Sequence, residues 1–185
     1  VVANAEKHGG FFWWMDKNEE GTTMITAPEG GKVDPNNYTI ERYYSMEKIP
    51  EEYREYVEEI GEIKGNLAYT LGYVKVTKNE FNDTLYVYMN NVGDKLRFEI
   101  RIYPEEIQRV RETYPGYTFE REFEDEGISF DVFSKEESSG EYTYIMYFYY
   151  GKEKYIVIGR NDEDRIQDIV IAYKNVVLSH EGNQQ

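Results

Sequence analysis

From Gly127 onward the apolar positions first fall at every second residue and then at helical spacing. Ile128, Phe130 and Val132 alternate with Ser129 and Asp131. Residues 142–150 are dense in Tyr, Phe, Ile and Met, the chain turns at Gly151 to Lys154, and Tyr155 to Ile158 is apolar again. Period-two alternation with aromatic and β-branched enrichment predicts a strand for each of these runs. Ile166, Ile169, Val170, Tyr173, Val176 and Val177 then recur at helical spacing. A helix with one apolar stripe must bury it, and the sheet just upstream offers the nearest apolar face. Asn161 or Asp162 is placed to cap this helix, and Glu163 and Asp164 lie in its first turn, where the macrodipole favours negative charge.

Upstream, Lys95 to Tyr103 has the cleanest alternation. It predicts a strand with Leu96, Phe98, Ile100 and Ile102 on the core and Lys95, Arg97, Glu99 and Arg101 in water. Leu85 to Asn90 reads as its hairpin partner, joined through Asn90 to Asp94. In that strand Leu85, Val87 and Met89 share one face, and Tyr86 and Tyr88 the other. Leu67 to Val76 is a further strand, interrupted near Gly72. Pro104 opens a short helix carrying Ile107, Val110 and Tyr114, which Pro115 and Gly116 stop. Residues 51–59 fit either a helix opened by Pro50 or a strand, and periodicity leaves the choice open. Tyr38 to Met46 and Thr22 to Thr26 read as extended. Pro28 to Asn37 reads as a loop and Asp16 to Gly21 as a turn, because Ala27 stands where a calcium loop needs a carboxylate. Phe11 to Met15 fits a core plug or a membrane interface.

The segment Leu85 to Tyr114 echoes Tyr144 to Tyr173 without a gap, aligning Tyr88 with Tyr147, Lys95 with Lys154 and Tyr114 with Tyr173. This suggests a ββα pseudo-repeat. The expected architecture is α+β: an antiparallel β-sheet with two or more helices packed on one face. Residues 1–37 are expected to form a membrane-proximal or post-signal segment with a short strand, and residues 38–185 a single domain.

Composition narrows the function. A net charge of -15 leaves no basic stripe for nucleic acid and disfavours docking on anionic lipid. It suits a self-repelling monomer. With no Cys, thiol catalysis, disulfides and thiolate metal sites are excluded. Ala3 and Ala5 match the small-residue pattern of a signal-peptidase site, and the same residues fit the outer end of a membrane helix. Both readings place the rest of the chain outside the membrane.

Tyr43 to Tyr53, which contains Ile49-Pro-Glu51, is similar to the "YxxxxIPEGY" opening of an uncharacterised extracytoplasmic domain family of Gram-positive bacteria, especially clostridia. Glu52 stands where that pattern often has Gly. Gly127 to Phe130, the hairpin at Tyr149 to Tyr155, Ile158-Gly159 and the helix at Asp164 to Tyr173 resemble the end of that domain. The family commonly has Trp near Tyr147 or Phe148. The resemblance spans roughly residues 38–177 and implies a domain on the outer side of a membrane-anchored, anti-sigma-factor-like protein. It implies no enzymatic activity and no catalytic residues.

The residues themselves agree on that last point. His8 and His180 lie near opposite ends of the chain, which argues against a base–nucleophile pair or a His-rich metal site. Neither a cofactor nor a metal is expected. Tyr86, Tyr88, Tyr144, Tyr147 and Tyr149 are the candidate ligand-binding residues, as a stacking platform for sugar rings or peptides; equally, they can simply cover a sheet. The expected function is an extracytoplasmic, non-enzymatic sensing or interaction domain with a protein or glycan partner, and a membrane association only through an N-terminal anchor. A second reading is a secreted glycan- or peptide-binding protein. A third is a hydrolase built on a carboxylate pair drawn from Glu120, Glu122, Glu124, Asp125 and Glu126.

Overall fold

A computed structural model of the chain describes residues 14–16, 23–25, 39–63, 70–90 and 96–182. Among the described residues, eight strands form one antiparallel sheet in the order β3-β4-β5-β6-β10-β9-β8-β7. They are β3 (Thr39–Tyr43), β4 (Thr70–Lys78), β5 (Asp83–Asn90), β6 (Arg97–Ile102), β7 (Thr118–Asp125), β8 (Ile128–Glu136), β9 (Tyr142–Tyr150) and β10 (Glu153–Arg160). Two helices, α1 (Glu51–Glu62) and α2 (Glu163–Gly182), complete the domain. Two shorter strands, β1 (Trp14–Asp16) and β2 (Thr23–Ile25), pair antiparallel with each other. The side chains of Phe11 to Met15, the turn after Asp16, the loop Pro28 to Asn37 and the turn Asn91 to Asp94 lie outside the described residues. The architecture is α+β, with both helices on one face of an antiparallel sheet.

The helical face holds the main core. Val74, Val76, Leu85, Val87, Phe98, Ile100, Phe130, Val132, Met146, Phe148, Tyr155 and Val157 project from the strands and are buried. From above, Tyr53, Val57 and Ile60 of α1 and Ile166, Ile169, Val170, Tyr173 and Val177 of α2 close it. The spacing of Tyr53, Val57 and Ile60 decides residues 51–62 in favour of helix, since one helical stripe is buried rather than alternate residues. Each fully buried Phe or Ile contributes about 1.5–3 kcal/mol. Tyr173 sits at the centre, edge-on to Phe98, Phe148 and Tyr155 at centroid distances of 5.5, 6.1 and 5.3 Å.

Local signals act where the sequence places them. Asp162 Oδ1 accepts the Arg165 amide at 3.0 Å and caps α2. Gly72 is the extra residue where the β4–β5 register shifts between Leu71 and Tyr73. The β7–β8 turn needs positive φ at both Glu126 (49°) and Gly127 (79°), the geometry of a two-residue hairpin loop. Lys174 of α2 reaches that turn and pairs with Asp125 at 2.5 Å and Glu126 at 2.7 Å.

Two expectations are corrected. Residues 103–117 are not helical but run as an irregular strap, so the ββα pseudo-repeat is not confirmed. The reason is topological. β6 lies mid-sheet and β7 at the far edge, with β10, β9 and β8 between them. That span is about 19 Å at the usual strand spacing. In crossing, the strap spends its backbone on the sheet: the Glu112 amide donates to the Tyr147 hydroxyl and the Val110 carbonyl accepts that of Tyr149, groups that a helix would use internally. Val110, which was to lie on the buried stripe, is 51 % exposed. The second correction follows from the first. Because the strap crosses the face opposite the helices, Glu99 and Arg101 are buried there rather than solvated. β7 itself, Thr118–Asp125, was not expected as a strand.

Candidate functional site

The strapped face is organised as rows running across the strands. One row reads Tyr73, Tyr88, Arg97, Ile158, Ile145, Phe133 and Phe119. The next reads Lys75, Tyr86, Glu99, Ile156, Tyr147, Asp131 and Glu122. The third reads Thr77, Thr84, Arg101, Lys154 and Tyr149. A small second core of Tyr114, Phe133, Ile145, Tyr147, Ile156 and Ile158 lies under the strap.

Charges and hydroxyls, more than apolar contact, hold the strap down. Glu112 is the central anchor. It accepts Nη1 of Arg101 on both carboxylate oxygens at 3.0 Å. Lys154 Nζ lies 2.7 Å from the same carboxylate and donates to the Tyr114 hydroxyl at 2.8 Å. The Glu112 amide donates to the Tyr147 hydroxyl at 3.1 Å, and that hydroxyl donates to Asp131 Oδ2 at 2.7 Å. Tyr149 donates to the Val110 carbonyl at 3.1 Å. Nearer the edge, Arg109 bridges Asp131 at 2.7 Å and Glu122 at 3.1 Å, and Arg111 pairs with Glu122 at 2.6 Å.

The Lys154 ammonium sits in an aromatic cage, 3.7 Å from the Tyr147 ring centroid, 5.3 Å from Tyr114 and 5.4 Å from Tyr149. Its side chain is wholly buried. Burial pushes the amine down to about 7, against the upward pull of Glu112. Burial works against ionisation of Glu112 too, but Arg101 and Lys154 outweigh it and hold the carboxyl at about 2. Burial, followed by the Glu112 charge, raises the Tyr114 hydroxyl. An amine with so low a pKa has nucleophilic character when exposed. Here it is sealed under Glu112 and three rings, so it serves as a clamp.

Four of the five candidate tyrosines share this face, but they do not form one platform. Tyr86 and Tyr147 are buried, and Glu99 and Ile156 stand between them in their row. Tyr147 and Tyr149 spend their hydroxyls on the strap. Tyr144 alternates to the helical face and packs against the main core. Tyr88 stacks on Tyr73 at 4.3 Å, and Tyr73 lies 5.8 Å from Tyr44, which is 68 % exposed. Arg97 lies 5.9 Å from the Tyr88 centroid. This ladder, running from the β3 edge into the sheet, was only partly expected, since Tyr44 and Tyr73 were not singled out.

The acidic residues considered as a hydrolytic pair are mostly engaged with other groups. Glu122 is held by Arg109 and Arg111, Glu120 accepts the Ser134 hydroxyl at 2.5 Å, and Asp125 and Glu126 take Lys174. Arg101, Glu112, Tyr114 and Lys154 were missed as a group. Arg101 alternates with apolar neighbours just as a solvated strand face does, and Lys154 read as the end of the turn that begins at Gly151. The only available signal was the 103–117 connection, whose breadth of crossing becomes visible once the strand order is known. No protein-family model matches the chain, and no curated protein or solved structure matches it.

Proposed function

We propose that the chain is a non-enzymatic sensing or interaction domain working outside the cytoplasm, carried by a membrane-anchored or secreted bacterial protein. The observation that carries this reading is the Tyr44–Tyr73–Tyr88 ladder with Arg97 beyond it. Flat ring faces in series beside a guanidinium are the chemistry that recognises sugar rings or an extended peptide. The absence of Cys, the acidic surface and the resemblance at Tyr43 to Tyr53 favour the extracytoplasmic setting. Among the described residues no helix is long and apolar enough to cross a membrane.

The test has two arms. Glycan and peptide arrays are probed with the wild-type chain and with Tyr44→Ala and Tyr73→Ala. The reading expects hits that weaken about tenfold in each variant, the loss of one ring contact. Hits unchanged by either substitution, or no hits, overturn the ladder as a recognition surface. Protease treatment of intact cells expressing the native gene should digest the domain, and protection until lysis would overturn the location. A secreted binding protein, the second reading, would appear in the culture medium instead of the membrane fraction.

A further inference from the structure

On the helical face, the C-terminal end of α1 meets the C-terminal end of α2. Glu55 and Glu59 are four residues apart on α1, so they project from the same side. His180 comes from the last turn of α2. One ligand-capable atom from each of Glu55, Glu59 and His180 lies within 4.8 Å of the other two. Two further observations separate this cluster from ordinary surface acidity. Glu59 is only 5 % exposed, and its Oε2 accepts no hydrogen bond among the described residues. A buried carboxylate oxygen with no donor must either keep its proton or meet a cation. The imidazole, in turn, is held from behind. Its Nε2 lies 2.9 Å from Glu62 Oε2, while its Nδ1 lies 3.9 Å from Glu55 Oε1. A carboxylate on one ring nitrogen fixes the tautomer and turns the lone pair of the other toward the cluster, which is how ligating histidines are supported.

We propose that Glu55, Glu59 and Nδ1 of His180 bind one divalent first-row transition cation, of which Zn²⁺ is the representative, with Glu62 orienting the imidazole. Two carboxylates and a neutral imidazole neutralise the dication. The imidazole and the small ligand number select against Ca²⁺ and Mg²⁺, which take more oxygen ligands or retain their water. Bonds of about 2.0–2.2 Å require the donor atoms to close by roughly 1 Å. The Glu55 side chain, 58 % exposed, is free to swing that far. Bound metal would tie α1 to the end of α2 and stiffen the helical layer over the core. The competing account is that His180 forms an ion pair with Glu62 and Glu55 and nothing more.

The test titrates Zn²⁺ into the full chain at physiological salt, by calorimetry in competition with a chromophoric chelator, and follows the thermal midpoint. One Zn²⁺ per chain and a raised midpoint are expected. Glu55→Gln, Glu59→Gln and His180→Gln should each weaken binding at least tenfold and remove the midpoint rise, and Glu62→Gln should weaken it about tenfold. Glu58→Gln and His8→Gln should leave both unchanged. Glu55→Gln keeps the test decisive if Glu59→Gln disturbs folding, because Glu55 is exposed. Binding that survives Glu55→Gln and His180→Gln, displacement by millimolar Ca²⁺ or Mg²⁺, or no binding at all would overturn the site.

Discussion

Replacing Glu112 by Gln removes the one carboxylate that two buried cations share. Lys154 and Arg101 are 0 % and 3 % exposed, and Glu112 is 10 % exposed. Gln keeps the size and can still accept a hydrogen bond, so the change isolates the charge. Breaking a buried pair by removing one partner is destabilising by about 3–5 kcal/mol; here Arg101 is left with Glu99 at 3.9 Å, and Lys154 must shed its proton or stay buried as a cation without Glu112. In a domain of this size each kcal/mol moves the thermal midpoint by about 2–4 °C, so a fall on the order of 10 °C is expected. The molecule has a second way to respond: the strap can lift and let water reach both cations. Urea unfolding measures the first response. Limited trypsin digestion measures the second, because Arg109 and Arg111 lie on the strap and become cleavable when it lifts. Adding Lys154→Met to Glu112→Gln should restore part of the loss, with a coupling of about 1–3 kcal/mol in the double-mutant cycle. A Glu112→Gln protein destabilised by less than about 1 kcal/mol, with its strap still resistant to trypsin, would refute the latch.

Other expectations follow from the same structure. Lys154 loses its proton near pH 7 in the folded chain and near the usual lysine value when unfolded, so between these the unfolded chain binds more protons and stability rises with pH. The urea midpoint should therefore climb from pH 7 to 9, and Lys154→Met should abolish that climb. Glu112 acts with the same sign at lower pH: its contribution is present above the ordinary carboxylate range and is lost as pH falls toward 2. At Gly159 an added Cβ would meet Ile166 Cδ1 at 2.1 Å and Cγ1 at 3.1 Å, so Gly159→Ala should cost about 1–3 kcal/mol, and Ile166→Val should recover part of it in urea melts. The Tyr173 hydroxyl is buried with no hydrogen-bond partner among the described residues, so Tyr173→Phe should be neutral or stabilising by up to about 1 kcal/mol.

The strand and helix pattern was legible where one face is apolar and the other polar. Phe98 and Ile100, Phe130 and Val132, and the stripe from Ile166 to Val177 all point where their spacing says. Alternation fails at one step: it tells that Arg97, Glu99 and Arg101 share a face, not what covers that face. Only the strand order shows that the chain must cross there, and strand order depends on pairings between distant residues. Residues 104–114 misled because Pro104, Ile107 and Val110 carry a local helix signal that the strap's bonds to the sheet override. β7 was hidden by its composition, since Glu120, Arg121, Glu122 and Glu124 dilute the aromatic period that Phe119 and Phe123 begin, and a register shift between Phe119 and Arg121 breaks it. The ladder tyrosines were partly legible: Tyr88 belongs to a visible strand, but Tyr44 and Tyr73 join it only through register.

Amine-reactive footprinting of the native chain, read lysine by lysine in a mass spectrometer, probes the buried charged face most directly. An amine that titrates near 7 reacts faster than any ordinary lysine if solvent reaches it. Lys154 should therefore stay unmodified while the 38 %-exposed Lys78 and Lys135 are labelled, and should become reactive in Glu112→Gln or on unfolding. Labelling of Lys154 in the native protein at or above the rate of Lys78 would mean that the strap does not cover the sheet as described.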